Sequence, residues 1–134
     1  MRDLNDANSI GAFMKSGMRL LIVGGGYIGL EAAATARKFG VDVTLVEIEE
    51  RILKRVAAKE TSDYIRSLHI SNGVKIKEAV GLGKLEIVDD KVLSASLTDG
   101  SDINVDFVIV GIGITPNTEL AEGANLKINN GIVI

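Results

Sequence analysis

Three glycines at the end of an apolar run have the spacing that diphosphate binding requires. Residues 24–29 read GGGYIG, which fits the pattern G-x-G-x-x-G, and they follow the apolar run at 19–23. This places them between a predicted strand and a predicted helix. In that setting Gly24 permits the tight turn, Gly26 lets a diphosphate approach the backbone, and Gly29 lets the helix pack closely on the sheet. The N–H groups of the helix N-terminus would then bind the diphosphate.

An acidic residue closes the next apolar run. Glu47 follows Gly29 by 18 positions, and at the tip of a second strand its carboxylate could accept hydrogen bonds from both ribose hydroxyls of an adenosine. A 2′-phosphate would bring like charge against it, which favours NAD(H) over NADP(H). Ile48 stands where an NADP-binding protein would have arginine, although Arg51 and Lys54 lie near enough to weaken the discrimination.

Other interpretations of this motif remain open on the residues alone. FAD uses the same glycine loop and strand-end acid, and S-adenosylmethionine uses a related glycine turn with an acid. The glycines could also serve only the tight packing of a β-α-β unit that binds no ligand, with Glu47 as a solvated residue at a strand end.

Composition excludes several classes of function. The 134 residues suit one domain with a real core, and 46% hydrophobic with 25% charged residues is the profile of a globular protein. A net charge of −3 gives no basis for a nucleic-acid or membrane surface. The absence of cysteine excludes disulfides, thiolate metal sites and a thiol redox centre in this chain, and it fits a cytoplasmic protein. A single histidine, His69, argues against a histidine metal site.

The order of the elements predicts an α/β fold. Helices are predicted at residues 3–15, 27–39 and 57–70, and strands at 19–23, 41–47, 74–77, 84–88, 92–97 and 107–110. The alternation predicts a Rossmann-like three-layer domain, with a parallel central sheet, helices, and an antiparallel β-meander as a crossover. We expect one NAD(H)-binding domain over residues 1–134. The apolar end GIVI, with no closing turn, predicts a fragment of a larger FAD-dependent reductase.

Side-chain periodicity adds detail to the helices and turns. The helix after the glycines carries a stripe of small residues at i, i+3, i+4 and i+7: Gly29, Ala32, Ala33 and Ala36. The next helix is expected to direct four residues inward: Thr61, Tyr64, Ile65 and Leu68. We expect His69 on the surface, the strand 107–110 to be buried, and Asp89-Asp90 to form a solvated hairpin turn and not a metal pair.

Two longer stretches together resemble a known family. They are similar to the NADH-binding domain of flavoprotein pyridine-nucleotide oxidoreductases. The two stretches are VGGGYIGLEAAATARKFGVDVTLVE and VDFVIVGIGITPNTELAEGANLKINNGIVI. Within that superfamily the chain is most similar to the NADH-dependent ferredoxin or rubredoxin reductases. The resemblance implies NAD(H) bound by this chain, FAD bound by domains outside it, and a ferredoxin or rubredoxin type electron acceptor. It implies hydride transfer from NADH to the flavin and then single-electron delivery, with no turnover by the isolated chain.

The resemblance also implies roles for individual residues. Glu31, the glutamate of YIGLE, is implied to lie near nicotinamide and flavin and is the candidate catalytic residue, and Tyr27 is implied to lie over the nicotinamide. Helical spacing independently puts both on one face, i to i+4; Tyr27 could instead be a packing residue and Glu31 a favourable anion near a helix N-terminus. The candidate cofactor-binding residues are Gly24, Gly25, Gly26, Tyr27, Ile28, Gly29, Glu47, Gly111, Ile112 and Gly113.

Alternatives to this assignment remain open. Gly111 and Gly113 could form only a strand-exit turn with Pro116 and Asn117. The chain could belong to a disulfide reductase or an NADH oxidase of the same superfamily. It could also be a standalone NAD-binding module.

Overall fold

The computed structural model describes residues 3–134, and within them it contains four helices and seven strands. The helices are α1 (Leu4–Gly11), α2 (Tyr27–Lys38), α3 (Lys59–Ser71) and α4 (Glu119–Gly123). The strands are β1 (Arg19–Val23), β2 (Asp42–Glu47), β3 (Lys75–Glu78), β4 (Leu82–Val88), β5 (Lys91–Leu97), β6 (Asp102–Asn104) and β7 (Phe107–Val110). None of the helices in this range is long and apolar enough to cross a membrane.

The central sheet is parallel, as predicted. Its order is β3-β2-β1-β7, and the ends of neighbouring strands match, with Val23 beside Val46 and Val110 and with Glu47 beside Glu78. The apolar runs form these strands because both faces of the sheet are covered. The carboxyl ends of all four strands therefore meet at one edge, which is where α/β sheets bind ligands.

The helices α2 and α3 cover one face of the sheet, and the antiparallel strands cover the other. Leu20 and Ile22 of β1 belong to the core cluster that includes Ala33 and Ala36 of α2, whereas Leu21 packs with Ala95, Leu97 and Val105 on the opposite face. This alternation confirms the three-layer α/β fold class. The small-residue stripe is also confirmed, because Gly29, Ala33 and Ala36 are buried and Ala32 packs beside them.

The antiparallel sheet has the order β4-β5-β6. Asp89 and Asp90 both adopt left-handed backbone conformations, with φ of +49° and +59°, which is the geometry of the type I′ hairpin turn. The predicted hairpin is therefore confirmed, while β6 was not predicted. Its three residues, Asp102–Asn104, are too few for a periodic pattern to stand out.

Three expectations about side-chain burial were wrong. In α3, Thr61, Tyr64 and Leu68 are exposed, Ile65 packs against the core as expected, and the buried residue is Ser62. Ser62 can face inward because its hydroxyl donates to the Ile52 carbonyl oxygen. His69, expected on the surface, is half-buried, with its ring nitrogens 3.0 and 3.1 Å from carbonyl oxygens of α3 and α2. The strand β7, expected to be buried, is buried at Phe107 but exposed at Val110, its last residue.

The first helix is shorter than predicted. It covers Leu4–Gly11 instead of residues 3–15, and none of its residues is buried. Asp3 caps its N-terminus by accepting a hydrogen bond from the Asp6 N–H. Residues 12–18 form turns that lead into β1.

Candidate functional site at the carboxyl edge of the parallel sheet

The glycine loop joins the tips of three strands. Gly24 N–H donates to the Val46 carbonyl of β2, and Gly111 N–H donates to the Val23 carbonyl of β1, both at 2.8 Å. Gly24 has φ of +109°, and a Cβ there would collide with the Gly111 carbonyl group. Only glycine fits this position, because the turn is left-handed and the neighbouring backbone occupies the space of a side chain.

Gly29 and Gly26 differ in what surrounds them. A Cβ on Gly29 would collide with the Gly24 carbonyl oxygen and lie 3.2 Å from Ile22 Cγ2, so the glycine does allow close packing of α2 on β1, as predicted. A Cβ on Gly26 would meet nothing within 4 Å. Gly26 is the N-cap of α2 and no side chain caps that end. The positive end of α2 therefore opens onto free space beside Gly26.

The middle glycine, Gly25, is required by a packing contact that the sequence alone did not indicate. A Cβ on Gly25 would lie 2.7 Å from Ile52 Cγ2 and 3.1 Å from Glu47 Oε2. Gly25 also uses both of its backbone groups, since its N–H donates to Glu47 and its carbonyl accepts from Leu53 N–H at 3.0 Å. The segment after β2 thus packs directly under the glycine loop, and a side chain at Gly25 would separate the two.

Glu47 lies where the sequence predicts, at the tip of β2. Its Oε2 accepts from Gly25 N–H at 2.6 Å, and its Oε1 accepts from Glu49 N–H at 2.8 Å. The half-buried carboxylate is therefore fixed in orientation by two backbone donors. Each carboxylate oxygen can accept a further hydrogen bond, so the group retains the capacity to bind hydroxyls.

The basic residues near Glu47 are engaged by other groups. Arg51 donates to the Ser62 hydroxyl and to the carbonyl oxygens of Lys54 and Ala57. Lys54 Nζ lies 3.0 Å from Glu49 Oε2. This hydrogen bond lowers the pKa of Glu49 and raises the pKa of Lys54. Both cations that sequence analysis considered as partners for a 2′-phosphate are thus held by the protein itself.

A shallow groove of about 200 Å³ lies between α2 and α3. Tyr27 and Glu31 line it together, which confirms that they share one face of α2. The other lining residues are Leu30, Ala34, Leu53, Thr61, Ile65 and His69. A larger cavity of about 330 Å³ lies at the opposite edge, around the first residues of β1, β2 and β3, away from the glycines.

The loop after β7 lies beside the glycine loop. A Cβ on Gly111 would be 3.8 Å from both Gly29 N and Ile28 Cγ2. Ile112 and Gly113 continue from it as exposed residues. The structure therefore brings the two predicted glycine segments together at one edge, with Glu47 beneath the first of them. Across residues 3–134, no group of three or more His, Cys, Asp or Glu side chains could hold a metal ion.

Comparison with known proteins identifies the family. A family model described as pyridine nucleotide-disulphide oxidoreductase matches residues 1–134. The chain is 43% identical over 136 residues to putidaredoxin reductase CamA of Pseudomonas putida, covering 100% of this chain and 32% of that protein. It is 39% identical over 134 residues to the ferredoxin--NAD(P)(+) reductase fdr of a Sphingomonas species, covering 100% of this chain and 32% of that protein.

A solved structure agrees with these relatives. The chain superimposes on a chain of the covalent putidaredoxin reductase–putidaredoxin complex with a TM-score of 0.94 and 43% identity. The similarity covers 99% of this chain and 32% of that one. The chain therefore spans less than half the length of the proteins it matches. The family model and the 43% identity agree over the whole sequence, and the chain belongs to the pyridine nucleotide-disulphide oxidoreductase family.

Proposed function

We propose that this chain is the NAD(H)-binding domain of an FAD-dependent NADH:ferredoxin or NADH:rubredoxin reductase. It binds NADH and presents the nicotinamide to FAD, which binds to the part of the reductase that this chain does not cover. NADH supplies a hydride to the flavin, and the reduced flavin supplies single electrons to an iron–sulfur acceptor. This chain contributes binding and orientation, and by itself it does not turn over.

The observation that carries the proposal is the pairing of Glu47 with Gly25 at the glycine loop. The Gly25 N–H fixes the carboxylate at 2.6 Å, beside the open space at Gly26 and the uncapped end of α2. A dinucleotide can place its diphosphate at that helix end while its adenosine ribose donates both hydroxyls to Glu47. We propose that the diphosphate lies against the glycine loop, residues 24–29, where Gly26 leaves open space.

The charges around Glu47 support NADH over NADPH. A 2′-phosphate would face the Glu47 carboxylate, and the basic side chains Arg51 and Lys54 are already paired. Arg51 is bound to a hydroxyl and two carbonyl oxygens, and Lys54 is bound to Glu49. To bind a 2′-phosphate, either side chain would have to break contacts that the protein makes without ligand. The repulsion between the phosphate and Glu47 would therefore not be offset by these two cations.

We propose that the nicotinamide end lies near the start of α2 and the loop after β7. Tyr27 and Glu31 line the groove beside the start of α2, and Gly111, Ile112 and Gly113 follow β7 next to Ile28. Glu31 is exposed, which leaves its carboxylate accessible to a nicotinamide or flavin brought to this face. We propose that it orients the reacting rings there.

The relatives support the ferredoxin branch over a disulfide reductase or an NADH oxidase. One is named a putidaredoxin reductase and another a ferredoxin--NAD(P)(+) reductase. The similar solved structure is a complex of such a reductase with putidaredoxin. We therefore propose a ferredoxin or rubredoxin type acceptor for the reductase to which this chain contributes.

Calorimetric titration of the purified chain with NADH, NADPH and FAD tests the proposal. We expect NADH to bind more tightly than NADPH, and FAD not to bind. The chain mixed with NADH and a ferredoxin, without added flavoprotein, should transfer no electrons. Binding of FAD alone, or a chain that does not bind NADH, would contradict the assignment.

A further inference from the structure

The segment that connects β2 to α3, residues 48–58 and here called the β2–α3 loop, forms the floor of the glycine loop. Leu53 N–H donates to the Gly25 carbonyl at 3.0 Å. The side chain of Ile52 fills the space where a Cβ of Gly25 would lie, with Cγ2 at 2.7 Å from that position. The position of Ile52 and Leu53 therefore sets the position of Gly25, and with it the N–H group that holds Glu47.

This part of the loop has a backbone conformation that needs support. Leu53 has φ of +56° and is almost fully buried. A non-glycine residue in the left-handed region costs conformational energy and persists only where surrounding contacts hold it. The residue before it provides two of those contacts. The Ile52 carbonyl accepts from the Ser62 hydroxyl, and the Ile52 N–H donates to Glu78 Oε1, each at 2.8 Å.

Glu78 connects this loop to a second helix. It is the last residue of β3 and lies beside Glu47 in the register of the sheet. Its Oε2 lies 2.8 Å from Arg66 Nε of α3 as an ion pair, and the Glu78 side chain is only 20% exposed. Arg66 is fixed in turn by Asp63, and the pKa of its guanidinium is raised by Asp63 first and then by Glu78.

Arg66 also limits the cost of placing two acids together. Glu47 and Glu78 end neighbouring parallel strands and lie directly side by side. Like charges at paired positions of a sheet destabilise each other. Because Arg66 neutralises Glu78, Glu47 can act as the carboxylate available to a ligand while Glu78 is committed to the protein.

We propose that Glu78 is a positioning residue of the dinucleotide site. Through the Ile52 N–H it holds the β2–α3 loop beneath Gly25, and so keeps the Gly25 N–H and the Glu47 carboxylate in the arrangement that receives the adenosine ribose. The inference rests on the proposed function of NADH binding. Glu78 itself contacts no ligand, since its two oxygens face the Ile52 N–H and the Arg66 guanidinium.

Substitutions at Glu78 separate its two contacts. Glu78→Gln keeps an oxygen for the Ile52 N–H and loses the charge that pairs with Arg66. Glu78→Asp keeps the charge that pairs with Arg66, but from there it is one methylene too short to reach the Ile52 N–H. Glu78→Leu removes both contacts. If the Ile52 N–H is the contact that positions the site, Gln should preserve NADH binding better than Asp or Leu does.

The experiment measures the dissociation constant for NADH by calorimetry at a temperature at which every variant is folded, together with urea unfolding. Loss of a hydrogen bond to a charged acceptor predicts a dissociation constant raised about tenfold in Glu78→Leu and Glu78→Asp. Glu78→Gln should stay within about threefold of the wild type, because its oxygen still accepts from Ile52. If Glu78→Leu does not fold, Glu78→Asp carries the comparison.

Asp106→Asn is the matched control for lost stability. Asp106 pairs with Arg19 at the opposite end of β1, so this variant should be less stable yet bind NADH within about twofold of the wild type. Equal affinity of Glu78→Asp and the wild type, or affinity losses that follow stability in all variants including Asp106→Asn, would overturn the role of Glu78. The failure of the proposed function gives a different result, because the wild-type chain itself would then not bind NADH.

Discussion

At the scale of single residues, Glu47 combines two tasks in one carboxylate. It accepts from Gly25 and Glu49 N–H groups, which fix its orientation, and it retains acceptor capacity for a ribose. A group with a fixed orientation loses little entropy when a ligand binds. The same rigidity means that the carboxylate cannot turn away from a 2′-phosphate, so discrimination should depend on its charge.

Glu47→Gln tests that dependence. The loss of charge-assisted hydrogen bonds should weaken NADH binding about tenfold, whereas NADPH, relieved of like-charge repulsion, should lose less affinity or gain some. The affinity ratio of NADH to NADPH, measured by calorimetry, should therefore fall. Glu60→Gln, the same change at an exposed residue in the first turn of α3, is the control and should leave the ratio unaltered. An unchanged ratio in Glu47→Gln would show that the Glu47 carboxylate does not bind the adenosine ribose.

At the scale of elements, the β1–α2 junction separates glycines required by the fold from a glycine available to a ligand. Gly29→Ala should lower the free energy of unfolding by about 2 kcal/mol, because the added methyl group meets the Gly24 carbonyl oxygen. Gly26→Ala adds a methyl group to open space at an extended residue, and should change stability by less than about 1 kcal/mol. It should nevertheless abolish NADH binding, because the methyl group occupies the approach of the diphosphate. Urea unfolding measures the stability of both variants, and calorimetry measures their affinity for NADH. Normal NADH binding by Gly26→Ala would show that the diphosphate does not bind at Gly26.

The same elements show which features a sequence can predict. The parallel strands, α2 and the Asp89-Asp90 hairpin depend on apolar runs, small-residue spacing and turn residues that are adjacent in sequence, and these predictions were confirmed. The inward face of α3 was predicted wrongly at Tyr64 and Leu68, because their spacing is that of an apolar face, whereas the hydroxyl of the buried Ser62 has its partner ten residues away.

The support beneath the candidate site could not be predicted for the same reason. Gly25 is required by Ile52, and Ile52 is held by Glu78, 26 residues further along the chain. Such pairs form only when the fold brings distant segments together, and no local pattern in the sequence marks them. The glycine spacing and the strand-end acid are local signals, which is why the predicted site residues could be named from the sequence.

At the scale of the whole molecule, ion pairs make stability depend on pH. The pKa of Asp106 is lowered chiefly by the Arg19 side chain, and those of Asp63 and Asp99 are lowered by Lys59 and Lys77 respectively. A carboxylate whose pKa is lower in the folded state stabilises it above the unfolded pKa of about 4, and this stabilisation is lost as the pH falls through the folded pKa. The Lys59–Asp63 pair, whose lysine side chain is 73% exposed, should contribute little. Asp106 should contribute more, because it is half-buried and accepts from both the backbone N–H and the guanidinium of Arg19.

The free energy of unfolding should accordingly be nearly constant from about pH 7 to pH 5 and fall below about pH 4. Asp106→Asn should be less stable than the wild type at neutral pH and should lose less on acidification, so that the two curves converge in acid. Urea unfolding between pH 7 and pH 2.5 measures both curves. Asp90→Asn, a change at the exposed hairpin turn where asparagine also tolerates the left-handed backbone, should run parallel to the wild type. Parallel curves for Asp106→Asn and the wild type would mean that the Arg19–Asp106 pair, despite joining β1 to the residue before β7, does not contribute to the acid sensitivity of the fold.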